Sequence, residues 1–162
     1  PLTGLLNRRG FLEAAKRQLN LAQRQNWGMT LFFLDLDGLK WINDEFGHLE
    51  GDDALRGVSD ILMDNTRGKD CVARYGGEEF VVILPETSRE GAMTVAQTIR
   101  QKIEAYAFKT EDPNYPPVHL SITAGLAVFP EDAHTAKDLI ASADEALYKG
   151  KRNGKNQVVS AA

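Results

Sequence analysis

The sequence predicts an α+β domain with a central, mostly antiparallel sheet flanked by helices. Residues 29–35 form a nearly unbroken apolar, β-prone run, the pattern of a strand covered on both faces. Two further strand-like runs, 71–75 and 78–84, are separated only by Gly76-Gly77, a hairpin signal that joins neighbours in antiparallel sense. Segments of helical periodicity are mixed with these runs, which argues against a doubly wound parallel sheet.

The elements follow in order. Asn7 is the expected N-cap of a first helix, with Phe11, Leu12, Ala15, Leu19 and Ala22 at helical spacing. Asn26 to Gly28 ends it. The strand over 29–35 stops sharply at Asp35-Leu36-Asp37-Gly38. A short helix is expected from Leu39 to Phe46, ended by Gly47. Another is expected from near Asp52, with Leu55, Val58, Ile61 and Leu62 on one face. The hairpin comes next, and its tight turn requires its two glycines to adopt positive φ. Thr87 to Glu90 has the capping-box pattern, opening a helix that turns Ala92, Val95, Ala96, Ile99 and Ile103 inward. Residues 109–117, polar and proline-bearing, are expected to be an exposed loop. Residues 118–129 read as one long strand, in which Gly125 marks a bulge or a close backbone approach. Thr135 to Asp138 opens a last helix with Leu139, Ile140, Ala143 and Leu147 inward. It runs into the basic stretch 149–155, and a short strand over 157–159 closes the chain.

The chain has 162 residues, the size of one ordinary domain, so residues 1–162 are taken as a single unit. Its one cysteine, Cys71, excludes a disulfide scaffold and a Cys-rich zinc module, and fits a reducing, cytoplasmic setting. Lys plus Arg number 19 against 23 Asp plus Glu, a net charge of −4. That is not the balance of a domain that coats nucleic acid, so bound phosphate must be held locally or through a metal. No apolar run approaches the roughly 18 residues of a bilayer span, so no membrane contact is expected of this domain. The chain starts at Pro1 and reads as a piece of a longer protein.

Two acidic points carry chemistry. Asp35 ends a buried strand, and Glu78 and Glu79 follow the Gly-Gly turn. A carboxylate at the end of an apolar strand needs a partner. If the strands are neighbours, Asp35 and Glu78 converge on one cation. Oxygen ligands with no His or Cys nearby favour Mg²⁺ or Mn²⁺, whose shell is completed by water and substrate phosphates. Taken singly, either acid also fits a solvent-facing strand end. Asn43, His48 and Asp52 also fit a helix-ending turn and a cap, and Lys149, Lys151, Arg152 and Lys155 also fit the complement of a helix C-terminus. The tetrad Arg67-Gly68-Lys69-Asp70 also fits a surface ion pair.

The pentapeptide Gly76-Gly77-Glu78-Glu79-Phe80 resembles the signature of the GGDEF family, the bacterial diguanylate cyclases, in its form with Glu at the third position. Three more segments agree in order and spacing: Leu2 to Arg9, Asp35 to Asp52, and Ala143 to Asn156. The resemblance covers almost the whole chain. It implies a fold like nucleotidyl cyclases and polymerase palms, with a ferredoxin-like core, and condensation of two GTP into cyclic di-GMP with release of two pyrophosphates. It implies that Asp35, Glu78 and the Leu36 carbonyl hold Mg²⁺ or Mn²⁺, two ions per site. By the same resemblance Asn43 and Asp52 bond guanine, with His48 in the same pocket, and Lys40, Lys151 and Lys155 contact phosphates. A carboxylate accepts from both guanine donors, N1 and N2, whereas adenine has no matching N1–H. Glu78 or Glu79 is placed to take the hydroxyl proton, although a metal-bound carboxylate is a poor base.

The placement of Arg67 and Asp70, with five residues between Asp70 and Gly76, resembles the family's product-inhibition site for cyclic di-GMP. One nucleotide site per domain and two nucleotides per product imply a homodimer, brought together by an N-terminal sensory or dimerisation domain outside this chain. The sequence departs from the family pattern at Lys155, where Arg is common, and at Gly150, where Ala is usual. The alternative reading is a catalytically silent module that binds GTP or cyclic di-GMP. A cyclase of altered base choice is disfavoured by Asp52.

Overall fold

A computed structural model describes residues 5–108, 114 and 116–161. Five helices are present among them: α1 Arg8–Gln25, α2 Leu39–Phe46, α3 His48–Asp64, α4 Arg89–Ala105 and α5 Ala136–Arg152. The strands are β1 Met29–Asp37, β2 Cys71–Arg74, β3 Glu79–Pro85, β4 Ala107–Phe108, β5 Val118–His119, β6 Ser121–Phe129 and β7 Val158–Ser160. The main sheet has the order β2-β3-β1-β6-β7. Its first three pairings are antiparallel and β7 runs parallel to β6. Setting β7 aside, this is the ferredoxin-like order, as expected.

The continuous apolar character of β1 follows from its central position. Phe32, Leu34 and Leu36 face one core with α2, α3 and α4, among Ile42, Val58, Ala96 and Ile99. Met29, Leu31 and Phe33 face the other core with α1 and α5, among Phe11, Leu19, Leu139 and Leu147. The sheet is therefore the middle of three layers. The alternation puts Asp35 and Asp37 on the α1/α5 face, where β1 emerges from the core.

Helix ends follow local chemistry. The Asn7 side chain accepts from the Gly10 N–H at 2.9 Å, and Thr135 accepts from the Asp138 N–H at 3.1 Å. The α4 cap is one residue later than expected: Ser88, not Thr87, accepts from the Gly91 N–H at 3.2 Å. The Thr87 hydroxyl instead donates to the Pro85 carbonyl.

Three further expectations are corrected. α3 begins at His48 rather than near Asp52, because Gly47 at φ 94° is the cap residue of both helices and turns the chain in one step. The hairpin glycines do not use positive φ; among the described residues only Gly38, Gly47 and Gly154 do so among glycines. With Arg74 opposite Phe80 and the Tyr75 N–H bonded to the Glu79 carbonyl, the turn spans more than two residues and needs no mirror-image geometry. The strand expected over 118–129 is split at Leu120, because β5 pairs with β4 in a separate two-stranded sheet while β6 pairs with β1. Of the two readings offered for Gly125, the close approach holds: its register with Phe33 is unbroken, and a Cβ there would lie 2.1 Å from the Ala143 carbonyl oxygen. The expected loop over 109–117 lies largely outside the described residues, as does Leu2 to Gly4 of the opening segment.

Candidate active site

β1 and β3 are neighbours, so the acidic points meet. Asp35 stands opposite Glu79 in the ladder, which places both side chains on one face. The Leu36 N–H donates to the Glu78 carbonyl at 3.2 Å. Beside this sheet end, α2 and α3 form the second wall of a groove of about 730 Å³. The sheet end contributes Asp35, Glu78 and Glu79, and the helical wall contributes Asn43, His48 and Asp52. Leu39 and Leu55 add apolar surface between them. His48 opens α3 and Asp52 follows four residues later, so both share one helix face.

The groove is electrostatically strained. Burial, then the charge of Asp35, raises the carboxyls of both Glu78 and Glu79 above their ordinary values. Asp35 is itself raised by burial, against the opposing influence of Lys151. Lys151 reaches in from α5, its Nζ 3.0 Å from Asp35 Oδ2 and 3.3 Å from Asp37 Oδ1. Burial disfavours its charge, but bonds to Asp35 and the charges of Asp35 and Asp37 leave its pKa raised. Asp35 Oδ1 is buried without any hydrogen-bond partner. Among the described residues no three His, Cys, Asp or Glu side chains form a ready metal cage.

Lys40, exposed in the first turn of α2, and Lys155, exposed at φ 64°, do not line the groove, nor do Leu36 and Lys151, the latter reaching it only through its ion pair with Asp35. Three residues that matter here were not singled out from the sequence. Gly51 leaves room for the Asn43 amide, since a Cβ there would sit 1.8 Å from Asn43 Oδ1. Arg74 pins the hairpin turn, donating to the carbonyls of Gly76 at 3.3 Å and Gly77 at 2.6 Å. Asp37 lies in the buried network beneath Lys151. The first carries no sequence signal because Asn43 and Gly51 belong to different helices, α2 and α3, and the others depend on tertiary pairing.

Arg67 and Asp70 close on each other. The guanidinium binds the carboxylate through two contacts, Nε to Oδ2 at 3.1 Å and Nη2 to Oδ1 at 2.8 Å. The Arg67 backbone N–H adds a third at 2.7 Å. Arg67 Nη2 also donates to the Pro85 carbonyl and to Thr87. The Asp70 side chain is 2% exposed and that of Arg67 49%. A groove of about 560 Å³ runs past the pair, between α1 and the end of α3.

The sheet order and the acid-ended central strand define a palm-like domain of the nucleotidyl-cyclase class. Comparison with known proteins narrows that class to one family. The model described as "Diguanylate cyclase, GGDEF domain" matches residues 1–157, and the chain belongs to that family. Diguanylate cyclase DosC of Escherichia coli K12 is 40% identical over 158 residues, covering 97% of this chain and 34% of that protein. The chain thus spans about a third of that curated relative's length. The GGDEF domain of DgcB from Caulobacter crescentus, solved in complex with c-di-GMP, matches with a TM-score of 0.92 at 30% identity, over 99% of this chain and 93% of that one. The active GGEEF domain of a diguanylate cyclase from Vibrio cholerae matches with a TM-score of 0.89 at 31% identity, over 98% of each chain.

Proposed function

We propose that this domain condenses two GTP into cyclic di-GMP and two pyrophosphates, by attack of each 3′-hydroxyl on the other nucleotide's α-phosphate. One observation carries this reading: Asp35, Asn43, Asp52 and Glu78, from four separate segments, line a single groove. Asp52 accepts from guanine N1–H and N2–H, and the Asn43 amide donates and accepts along the same base. Leu39 and Leu55 offer apolar contact to the purine. Lys151, with the mobile charges of Lys40 and Lys155, attracts the phosphates.

The donor set fits a hard divalent cation. Asp35 holds a buried oxygen without a partner beside Glu78. The Leu36 N–H points toward Glu78, and in a strand a residue's carbonyl points the same way as its N–H. Asp35, Glu78 and the Leu36 carbonyl would hold Mg²⁺ or Mn²⁺, a sparse set of the kind that substrate phosphates complete. When bound, two such ions supply acidification of the 3′-hydroxyl and charge stabilisation on the leaving pyrophosphate. With Glu78 assigned to the metal, Glu79 is the carboxylate left to take the hydroxyl proton, and burial raises its pKa in the useful direction.

Each groove serves one nucleotide, so the working unit is a homodimer facing across a two-fold axis. Product at Arg67 and Asp70 inhibits: the exposed guanidinium offers its outer edge to phosphate or guanine while Asp70 holds it in place. The full protein carries a sensory or dimerisation domain before this one and works on cytoplasmic GTP. Among the described residues no helix is long and apolar enough to cross a membrane.

The test is incubation with GTP and Mg²⁺ at high protein concentration, with products identified by mass. Wild type yields cyclic di-GMP. Glu78→Gln loses about a thousandfold in rate, since several kcal/mol of charge stabilisation is at stake at about 1.4 kcal/mol per decade. Arg67→Ala keeps the initial rate but no longer slows when product is added. Tight binding of GTP or cyclic di-GMP by wild type without turnover selects the silent module instead.

A further inference from the structure

Asp37 has no place in the mechanism above, yet it is among the most heavily engaged side chains of the molecule. The residue is 8% exposed, at the last position of β1. Its Oδ2 accepts from the Ser121 hydroxyl at 2.7 Å and from the Asn156 backbone N–H at 3.2 Å. Its Oδ1 accepts from Lys151 Nζ at 3.3 Å, and the Thr123 hydroxyl lies 3.0 Å from both oxygens. The Asn156 side chain in turn accepts from Arg100 of α4 and donates to Glu104. A buried carboxylate of this kind costs folding free energy unless its charge is matched, and Lys151 is the cation that matches it.

We propose that Asp37 is a positioning residue that keeps the Lys151 ammonium at the groove once a divalent cation has taken Asp35. The inference rests on the cyclase reading. Lys151 is now shared between Asp35 and Asp37. A cation on Asp35 competes for the same oxygens and repels the ammonium, so Asp35 ceases to be its partner. Asp37, one residue beyond Leu36 and tied to β6 and to the turn after α5, retains it. Lys151 then remains beside the groove to meet phosphate rather than swinging into solvent. The tie to Asn156 fixes the turn after α5, where Lys155 and Asn156 both hold left-handed backbone, at φ 64° and 48°. The turn and the ammonium are therefore placed by one carboxylate.

The discriminating substitution is Asp37→Asn. An amide there can keep its oxygen toward Ser121 and the Asn156 N–H and turn its NH₂ toward Lys151, removing only the ammonium's anchor. Affinity for Mg²⁺ with a non-hydrolysable GTP analogue is expected to fall about tenfold, the scale of a charge-assisted bond, while guanosine, which lacks phosphate, binds as to wild type. Lys151→Met should show the same loss, and the double variant should be no worse than Lys151→Met alone. Additive losses, or equal loss of guanosine binding, would overturn the proposal as a merely structural role. The wild type decides independently of whether Asp37→Asn folds. The Lys151 ammonium, identified by lysine-selective NMR against Lys151→Met, should stay protected from solvent exchange as Mg²⁺ is added. Release to fast exchange on Mg²⁺ addition overturns the proposal. Neither readout needs turnover, so an inactive wild type would count against the cyclase reading alone.

Discussion

Asp35 is where the cost of the groove is concentrated. Its side chain is 16% exposed, it faces the repulsion of Asp37, and one oxygen has no partner. Asp35, Glu78 and Glu79 all have raised pKa values, with burial as the first cause. A raised folded-state pKa means that the fold holds those protons more tightly than the unfolded chain. Their contribution therefore favours the fold fully below the unfolded values, and it is lost as pH rises through the raised folded values. At neutral pH the ionised carboxyls oppose folding until a cation offsets them. Millimolar Mg²⁺ should thus raise the melting temperature by a few degrees at about pH 7.5 and by clearly less at about pH 5. Scanning calorimetry at both pH values checks this, and an equal increment at the two would contradict the placement of the cation. These acids were legible in the sequence because a carboxylate ending an apolar run is locally conspicuous. Asp37 was not, since its partners lie 84 to 119 residues away and only the folded sheet brings them together.

Elements were legible where their signals are local. The α1 and α5 caps and the extent of α2 follow from side chains within four residues. Misreadings arose where one residue serves two elements or where pairing decides. Gly47 serves two helices, so the start of α3 moved forward and carried His48 and Asp52 inside the helix. The break at Leu120 depends on β4, a two-residue strand with no pattern of its own. Gly125 shows how tightly the layers meet: its missing side chain lets α5 lie against β6, and α5 delivers Lys151 to the groove. Gly125→Ala would set a Cβ 2.1 Å from the Ala143 carbonyl oxygen and 2.2 Å from the Leu147 backbone nitrogen, and backbone cannot step aside cheaply. A loss of about 3 kcal/mol in denaturant unfolding is expected, with activity falling further as Lys151 shifts. Gly68→Ala, where nothing lies within 4 Å of the added carbon, is the control and should be near neutral.

At the scale of the whole molecule, stoichiometry sets the strongest constraint. The groove is an open cleft on one side of the sheet's end, and under the cyclase proposal its two walls, the acidic strand end and the α2–α3 corner, account for one base and one polyphosphate. On the proposed reading, a second nucleotide arrives on a second copy of the domain, with its 3′-hydroxyl presented from outside. If two copies meet only in the act of turnover, the rate per volume in dilute solution rises with the square of protein concentration, and the rate per domain rises linearly until pairs saturate. Joining two copies by a flexible linker replaces that dependence with an effective local concentration of about millimolar. The tethered pair should therefore show a rate per domain that is high and flat across dilution, while the single domain falls away. A single domain whose rate per domain does not change on dilution would mean that both nucleotides are handled within one chain. The described groove offers one set of residues proposed to read a base, Asn43 and Asp52, and so gives no means of doing that.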